Sequence, residues 1–448
     1  MGRRLIVNTA LMTAASLLMR CIAMGFQGYL AARIGATGIG LYQLVMSVEM
    51  LATTFAISGI RFAVTRLVSE ELGLERGRGV SGAMSRAATY SLFFGSAAML
   101  ALTYFAEPIG FLWIGDARTV RSLRILAMGL PCIALSSVLS GYFTACGRIW
   151  KPSLVHLIEQ TAVVVLVAYF LNRSPAEDIE LSCASVCAGV TGADILSLAL
   201  MLCFYAYDRK KHASKAGESV RLTVRLLGTA LPLAVSAYAR SALSTLEHLL
   251  VPRGFRKSGL SADAALAGYG VIQGMAMPVI SFPACLLGSL AENVIPDLTA
   301  AQMRNQREAI RREVGALLKW SVTFSLLTAA LLYAAAQPLG SWLYDSDECG
   351  RYIRALCPLI PVMYTDMVVD GCLKGLGQQV WSMAINILDA ALGVALVYTL
   401  LPVGALNAYI GIIYFNEILN LALSLMRLRR AVGNKHSDKG ERICQSRR

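Results

Sequence analysis

Charge is the scarcest commodity in this 448-residue chain: only 15% of its residues are Asp, Glu, Lys or Arg, against 56% hydrophobic. A water-soluble domain carries nearer a quarter, because its surface has to be solvated. With a mean hydropathy of +0.58, lipid must cover much of this protein, which excludes an ordinary set of two or three soluble domains. Histidine is almost as rare. The four present (His156, His212, His248 and His436) show no zinc spacing. No G-x-S-x-G, H-E-x-x-H or G-x-x-x-x-G-K-[ST] run occurs, so serine hydrolysis, zinc peptidase chemistry and nucleotide-driven pumping all lack their usual residues. The chain is therefore expected not to be an enzyme and to need no cofactor beyond a coupling ion, Na+ or H+. The eleven cysteines are scattered, most of them inside apolar segments, and read as small apolar residues. The surplus of 13 positive charges has no interleaved aromatic patch, which argues against a nucleic-acid partner.

What the sequence has in abundance is long apolar runs. About twelve are long enough to span a bilayer as helices, which needs about 20 residues each. In the first half they lie near 5–32, 38–67, 80–105, 121–146, 152–171 and 181–206, and in the second near 223–251, 264–296, 309–335, 352–376, 381–401 and 404–426. The run behind Arg3-Arg4 continues past Arg20 without a cleavage site, so it reads as a first span rather than a signal peptide. Of the 41 Lys and Arg residues, 28 fall on one side of these spans, ten on the other and three within them. That excess puts both termini and the long middle loop in the cytoplasm. The run Asp208-Arg209-Lys210-Lys211-His212 in that loop reads as a topology anchor, with a headgroup-binding role as the alternative.

An internal repeat organises the spans. Residues 106–160 align without a gap on 336–390. The identities are Ala106/Ala336, Pro108/Pro338, Gly110/Gly340, Arg121/Arg351, Arg124/Arg354, Leu126/Leu356, Pro131/Pro361, Gly141/Gly371 and Gly147/Gly377. Thr9-Ala10-Leu11, Ser16 and Arg20 similarly match Thr229-Ala230-Leu231, Ser236 and Arg240. The expected fold is thus an all-α polytopic membrane protein of two pseudo-symmetric six-helix lobes, 1–206 and 223–428. A cytoplasmic linker at 207–222 joins them, and a basic tail runs over 429–448. Parallel repeats of this kind hold substrate near the midplane between rocking halves. Pro278, Pro283 and Pro296 predict a bend in the eighth span, whether for gating or as a static kink.

Charges inside spans are the remaining chemical signal, because each is costly unless it faces a cavity or a partner. Arg20 and Arg240 occupy equivalent positions, and Arg61 lies in the second span. Guanidiniums stay ionised and fork onto phosphate oxygens, so the three suit a diphosphate, and Glu49 is grouped with them as a substrate-binding candidate. Pairing with Glu49, or snorkelling, is the structural alternative. Asn386 and Asp389, one turn apart, offer adjacent oxygens for a hard cation, and Glu247 could complete the set. The alternative is hydrogen bonds that lock helices within a lobe. Asp366 and Asp370 share a face and have serines, Ser136 and Ser140, at the matching places in the first half. They are secondary candidates.

Several stretches resemble the stage V sporulation protein B group. They are Gly35-Ala36-Thr37-Gly38-Ile39-Gly40-Leu41-Tyr42-Gln43 and Ser58-Gly59-Ile60-Arg61-Phe62-Ala63-Val64-Thr65-Arg66-Leu67-Val68-Ser69-Glu70. Val251-Pro252-Arg253, Gly268-Tyr269-Gly270, Gly274 and Phe282-Pro283 add to them. That group falls in the superfamily of multidrug, oligosaccharidyl-lipid and polysaccharide exporters, alongside the lipid II flippases. The resemblance implies a two-lobed, MATE-like bundle that opens alternately to either side; as to partners, membrane lipids and a monomeric state are the expectation. It implies a cationic cavity for an undecaprenyl-diphosphate-linked saccharide, matching Arg20, Arg61 and Arg240. It also implies a sodium site in the second lobe, to which Glu247, Asn386 and Asp389 are most similar. Members often have fourteen spans where twelve are counted here, and Glu247-His248 stands where they more often have a shorter acid and a small polar residue. The competing function is a cation-coupled multidrug antiporter, whose cavity would favour acids over arginines.

Overall fold

A computed structural model describes residues 2–73, 77–174, 178–209, 220–304 and 306–433. Expectations for Glu177, for Lys210-Lys211-His212 and for the tail from 434 onward, His436 included, lie outside the described residues. Helices make up nearly all of the described chain, with no strand among them. In order they are α1 (Gly2–Ile57), α2 (Ile60–Gly73), α3 (Gly77–Pro108), α4 (Val120–Ala145), α5 (Trp150–Leu171), α6 (Ile179–Arg209) and α7 (Val220–Lys257). Then follow α8 (Ala262–Tyr269), α9 (Met277–Ser281), α10 (Ala284–Met303), α11 (Arg307–Tyr344), α12 (Asp347–Leu356), α13 (Ile360–Gly375) and α14 (Gln379–Gly433).

Among the described residues ten stretches are long and apolar enough to cross a membrane. Two of these, Leu18–Glu71 and Gln379–Val432, run to 54 residues. At 1.5 Å per residue that is about 80 Å of helix, far beyond a hydrocarbon core of about 30 Å. A non-helical residue divides each, Gly35 (φ 65°) in the first and Ala405 (φ 49°) in the second. Each is therefore two crossings, giving twelve. Large side chains lie outermost and exposed, among them Leu100, Phe111, Leu331 and Val403. Tyr104, Trp320 and Trp342 are exposed with them, the residue types that anchor helices at a membrane–water interface. This is a multi-pass membrane protein.

Contacts divide the chain into two compact units. One comprises residues 18–275 with 397–406, and the other 1–17, 276–396 and 407–448. The grouping by contact differs from the grouping by repeat, since α7 and α8 pack with the first six spans. In the first unit α4 is central, packed against α2, α3 and α6, with Leu123, Ala127 and Leu130 wholly buried. In the second, α13 packs against α10 and α11. Small residues set the closest crossings, as they do where no hydrophobic force drives helices together. A Cβ on Gly40 would fall 2.0 Å from the Leu266 carbonyl oxygen, and one on Gly270 would fall 2.3 Å from that of Ala36.

The repeat is written in backbone detail. After α4 the amides of Cys146, Gly147 and Arg148 donate to the carbonyls of Tyr142, Thr144 and Phe143. After α13 those of Leu376, Gly377 and Gln378 donate to Cys372, Lys374 and Leu373, each 230 residues on. Gly147 (φ 69°) and Gly377 (φ 67°) both take the left-handed conformation that such a helix end requires. At the other ends, Asp116 caps the Arg118 amide and its counterpart Ser346 caps that of Cys349. The bend expected in the eighth span is also present. A π-turn over 270–276 leads into α9, and the helix breaks again at Phe282-Pro283. The Gln27 amide donates to the Gly274 carbonyl within that π-turn at 2.6 Å, the kind of side-chain support such irregular turns need in a membrane.

Candidate functional site

The second crossing is not one continuous helix. Ser58 (φ 46°) and Gly59 (φ 69°) both adopt positive φ, ending α1 and letting α2 start afresh at Ile60. Serine there is strained by its Cβ, and three contacts hold it. Ser58 Oγ lies 2.7 Å from Tyr90 Oη on α3, Tyr90 Oη donates back to the Ser58 carbonyl at 3.1 Å, and Tyr238 Oη on α7 donates to Ser58 Oγ at 2.7 Å. Gly59 is obligatory for a second reason, since a Cβ would meet the Ala230 carbonyl oxygen at 2.6 Å. Around this break Phe55 packs on Phe94 and Tyr238, at 5.8 and 5.4 Å between ring centroids.

The break matters because it places a helix start inside an apolar span. First-turn amides have no partner within their own helix and carry the positive end of its dipole, an arrangement that attracts anions. Arg61 sits in that first turn and is exposed. Arg240 lies two residues past Tyr238 and is also exposed, beside Ser241, which accepts from Thr54 Oγ1 at 3.2 Å. Among the described residues neither Arg61 nor Arg240 has an ion pair or a side-chain hydrogen bond. Arg20 is exposed in α1 and belongs to the same unit. Glu49 is buried at 9% exposure, and no ion pair joins it to an arginine among the described residues. The structural alternative of an Arg61–Glu49 or Arg240–Glu49 pair is therefore absent there. Sequence reasoning found the arginines and missed Ser58, Tyr90 and Tyr238, although Ser58-Gly59 in mid-span was the available signal.

The acidic candidates fall in two places. Glu247 is half-buried on α7 in the first unit, whereas Asn386, Asp389, Asp366 and Asp370 belong to the second. Asp370 accepts from Ser382 and pairs with Lys374 at 2.6 Å, so it serves as a helix lock. Asn386 Oδ1 accepts from Asn420 Nδ2 at 3.3 Å, and Asn420 Oδ1 accepts from Ser424 Oγ at 3.3 Å. Three buried oxygens nearby on these helices, Asp366 Oδ1, Asp389 Oδ1 and Asn416 Oδ1, have no hydrogen-bond partner among the described residues. Such orphaned acceptors are costly in an apolar surrounding, and a small hard cation or a proton would satisfy them. No ready-made group of three His, Cys, Asp or Glu ligands occurs among the described residues, so a cation here would have to use amide and hydroxyl oxygens as well. At the position in the first half matching Asn386 and Asp389, His156 Nδ1 lies 3.6 Å from Glu159 Oε1.

The family model for polysaccharide biosynthesis proteins matches residues 5–283, and a second, MatE, matches 257–399. Stage V sporulation protein B of Bacillus subtilis (strain 168) is 22% identical over 402 residues, covering 88% of this chain and 77% of that protein. Among solved structures, the lipid II flippase MurJ in an inward closed conformation superposes with a TM-score of 0.72 at 13% identity, covering 94% of this chain and 87% of that one. An inward-facing multidrug resistance MATE family transporter of the MOP superfamily superposes with a TM-score of 0.70 at 16% identity, covering 94% and 96%. At these identities the structural likeness speaks for the fold.

Proposed function

The chain belongs to the polysaccharide biosynthesis protein family, and on that premise we propose that it carries an undecaprenyl-diphosphate-linked saccharide across the bacterial cytoplasmic membrane by alternating access. The observation that carries this reading is the pair of exposed guanidiniums, Arg61 and Arg240, unpaired among the described residues and lying beside a helix start inside an apolar span. A charge at that depth without a counter-ion is costly, and a diphosphate supplies the missing negative charge with geometry that suits the guanidinium fork. Arg20, matched to Arg240 in the repeat, is the third phosphate ligand. The lipid II flippase named above is a fold relative only, so the saccharide is left as a class. The chain acts as a transporter rather than an enzyme, with both termini in the cytoplasm.

The test is binding of undecaprenyl-diphosphate-linked sugars to the purified protein by native mass spectrometry, beside Arg20→Ala/Arg240→Ala. Retention by the wild type and loss in the double variant is the expected result. Equal retention in both, or preference for a lipophilic cation, would move the reading to a multidrug antiporter.

The orphaned oxygens of Asp366, Asp389 and Asn416 favour coupling to a cation in either case, and we assign Asp389 with Asn386 to a sodium site. Sodium at ten times its Kd would then stabilise the protein by about 1.4 kcal/mol, seen as a higher unfolding temperature in sodium than in choline buffer. Asp389→Ala is expected to abolish the difference. Identical unfolding of the wild type in the two buffers would remove sodium from the scheme.

A further inference from the structure

At the far end of α7 lies a cavity of about 490 Å³, on the face that the charge count assigns to the outside. Three cations line one wall, Arg253, Arg256 and Lys257, while Leu250, Tyr398 and Pro402 line the rest. The wall is built by the close seating of residues 397–406 on α7 and α8. A Cβ on Gly254 would meet Leu401 at 2.7 Å, and one on Gly268 would meet Leu406 at 3.0 Å.

No carboxylate lines this cavity. The two on the neighbouring turns, Asp116 and Asp263, are both taken by Arg118, at 2.6 and 3.0 Å. Arg256 reaches only neutral acceptors, the carbonyls of Gly115 and Ile114 at 3.3 and 3.4 Å. Lys257 Nζ stands 5.2 Å from the centre of the Tyr398 ring. Arg253, half-buried, has neither an ion pair nor a hydrogen bond among the described residues. Three like charges crowded in one wall repel one another, and a multiply charged anion turns that repulsion into attraction. The opposite wall is apolar and opens toward strongly exposed apolar surface, with Tyr398 61% and Val403 87% exposed. An anion that brings its own hydrocarbon chain fits both walls at once.

We propose that this cavity is a binding site for a lipid-borne phosphate in the outer leaflet, its headgroup on Arg253, Arg256 and Lys257 and its chain along Tyr398 and Pro402. The site is separate from the arginines of the spans and does not depend on the transport reading. Either the diphosphate of a translocated lipid or an anionic phospholipid presents the required chemistry.

The test is native mass spectrometry of the full chain with phosphatidylglycerol, undecaprenyl diphosphate and phosphatidylcholine in turn. Arg253→Gln/Lys257→Gln is the variant, because Arg256 also caps the turn at Gly115 and is best left in place. The two anionic lipids are expected to bind the wild type at least tenfold more tightly than the variant, with phosphatidylcholine weak and equal in both. Tighter binding of undecaprenyl diphosphate than of phosphatidylglycerol assigns the site to the diphosphate lipid, and parity assigns it to bulk anionic lipid. Displacement by inorganic pyrophosphate shows that the phosphate group alone suffices. Arg253→Lys/Lys257→Arg conserves charge and is expected to retain the lipids. Two results overturn the proposal: equal retention by wild type and the Gln variant, or wild-type binding of anionic lipid that ionic strength does not weaken.

Discussion

Arg61→Ala combined with Arg240→Ala is expected to slow translocation of a diphosphate-linked lipid by roughly two orders of magnitude or more. Each guanidinium supplies hydrogen bonds to a charged oxygen, worth roughly 1.5–3 kcal/mol apiece. Losing two such interactions costs roughly 3–6 kcal/mol, and every 1.4 kcal/mol is about tenfold. Nothing within the described protein competes for these side chains, so their removal breaks no internal ion pair and the fold should survive. That separates loss of function from loss of structure. Arg61→Lys keeps the charge but loses the planar fork, and is expected to fall between wild type and alanine. The measurement is appearance of a fluorescent undecaprenyl-diphosphate sugar in the outer leaflet of proteoliposomes, with the amount of inserted protein checked in parallel. A wild-type rate in the double variant would end the assignment of the phosphate to these residues.

Gly40→Leu is expected to abolish accumulation of folded protein. The Cβ alone would lie 2.0 Å from the Leu266 carbonyl oxygen, and on the facing helix Gly270 is equally tight against Ala36. Overpacking a core that can yield costs about 1–3 kcal/mol. Here the obstacle is backbone on both sides, so the two helices would have to part along their length. Gly25→Leu is the control, since nothing lies within 4 Å of a Cβ there, and it should insert and fold normally. Size-exclusion profiles and unfolding temperatures of the two variants in detergent distinguish them. A monodisperse Gly40→Leu protein with wild-type stability would contradict the crossing.

Much of this architecture was legible beforehand because the bilayer is a strict solvent. A chain that cannot hydrogen-bond to lipid must satisfy its backbone in helices, so apolar runs translate almost directly into crossings. The pair Gly147/Gly377 stood out because glycine at a helix end answers a backbone need that few other residues meet. The helix ends after α4 and α13 meet it in the same way. Arg61 and Arg240 were found by the same logic, as charges where charge is costly.

The Ser58–Gly59 break was harder to see. A Ser-Gly pair in a span is common enough as simple packing, and only Tyr90 and Tyr238, distant in sequence, turn it into a built feature by holding Ser58 in a strained conformation. The status of the acids was equally hidden. Asp370 and Asp389 look alike in sequence, yet Lys374 and Ser382 occupy the first while Oδ1 of the second has no hydrogen-bond partner among the described residues. The outer cavity needs α7 and residues 397–402, far apart in the chain, brought together, and its sign depends on Arg118 engaging both nearby carboxylates.

The sequence by itself determined that this protein is an all-helical membrane protein of twelve crossings, repeated in two halves, with arginines inside its apolar runs. These follow from composition and spacing, which the solvent reads residue by residue. Only the tertiary structure decided which charges are spent on partners and which remain available, and where a helix stops short to present its amides. Those outcomes rest on contacts between residues far apart in the chain, for which no local pattern is a substitute.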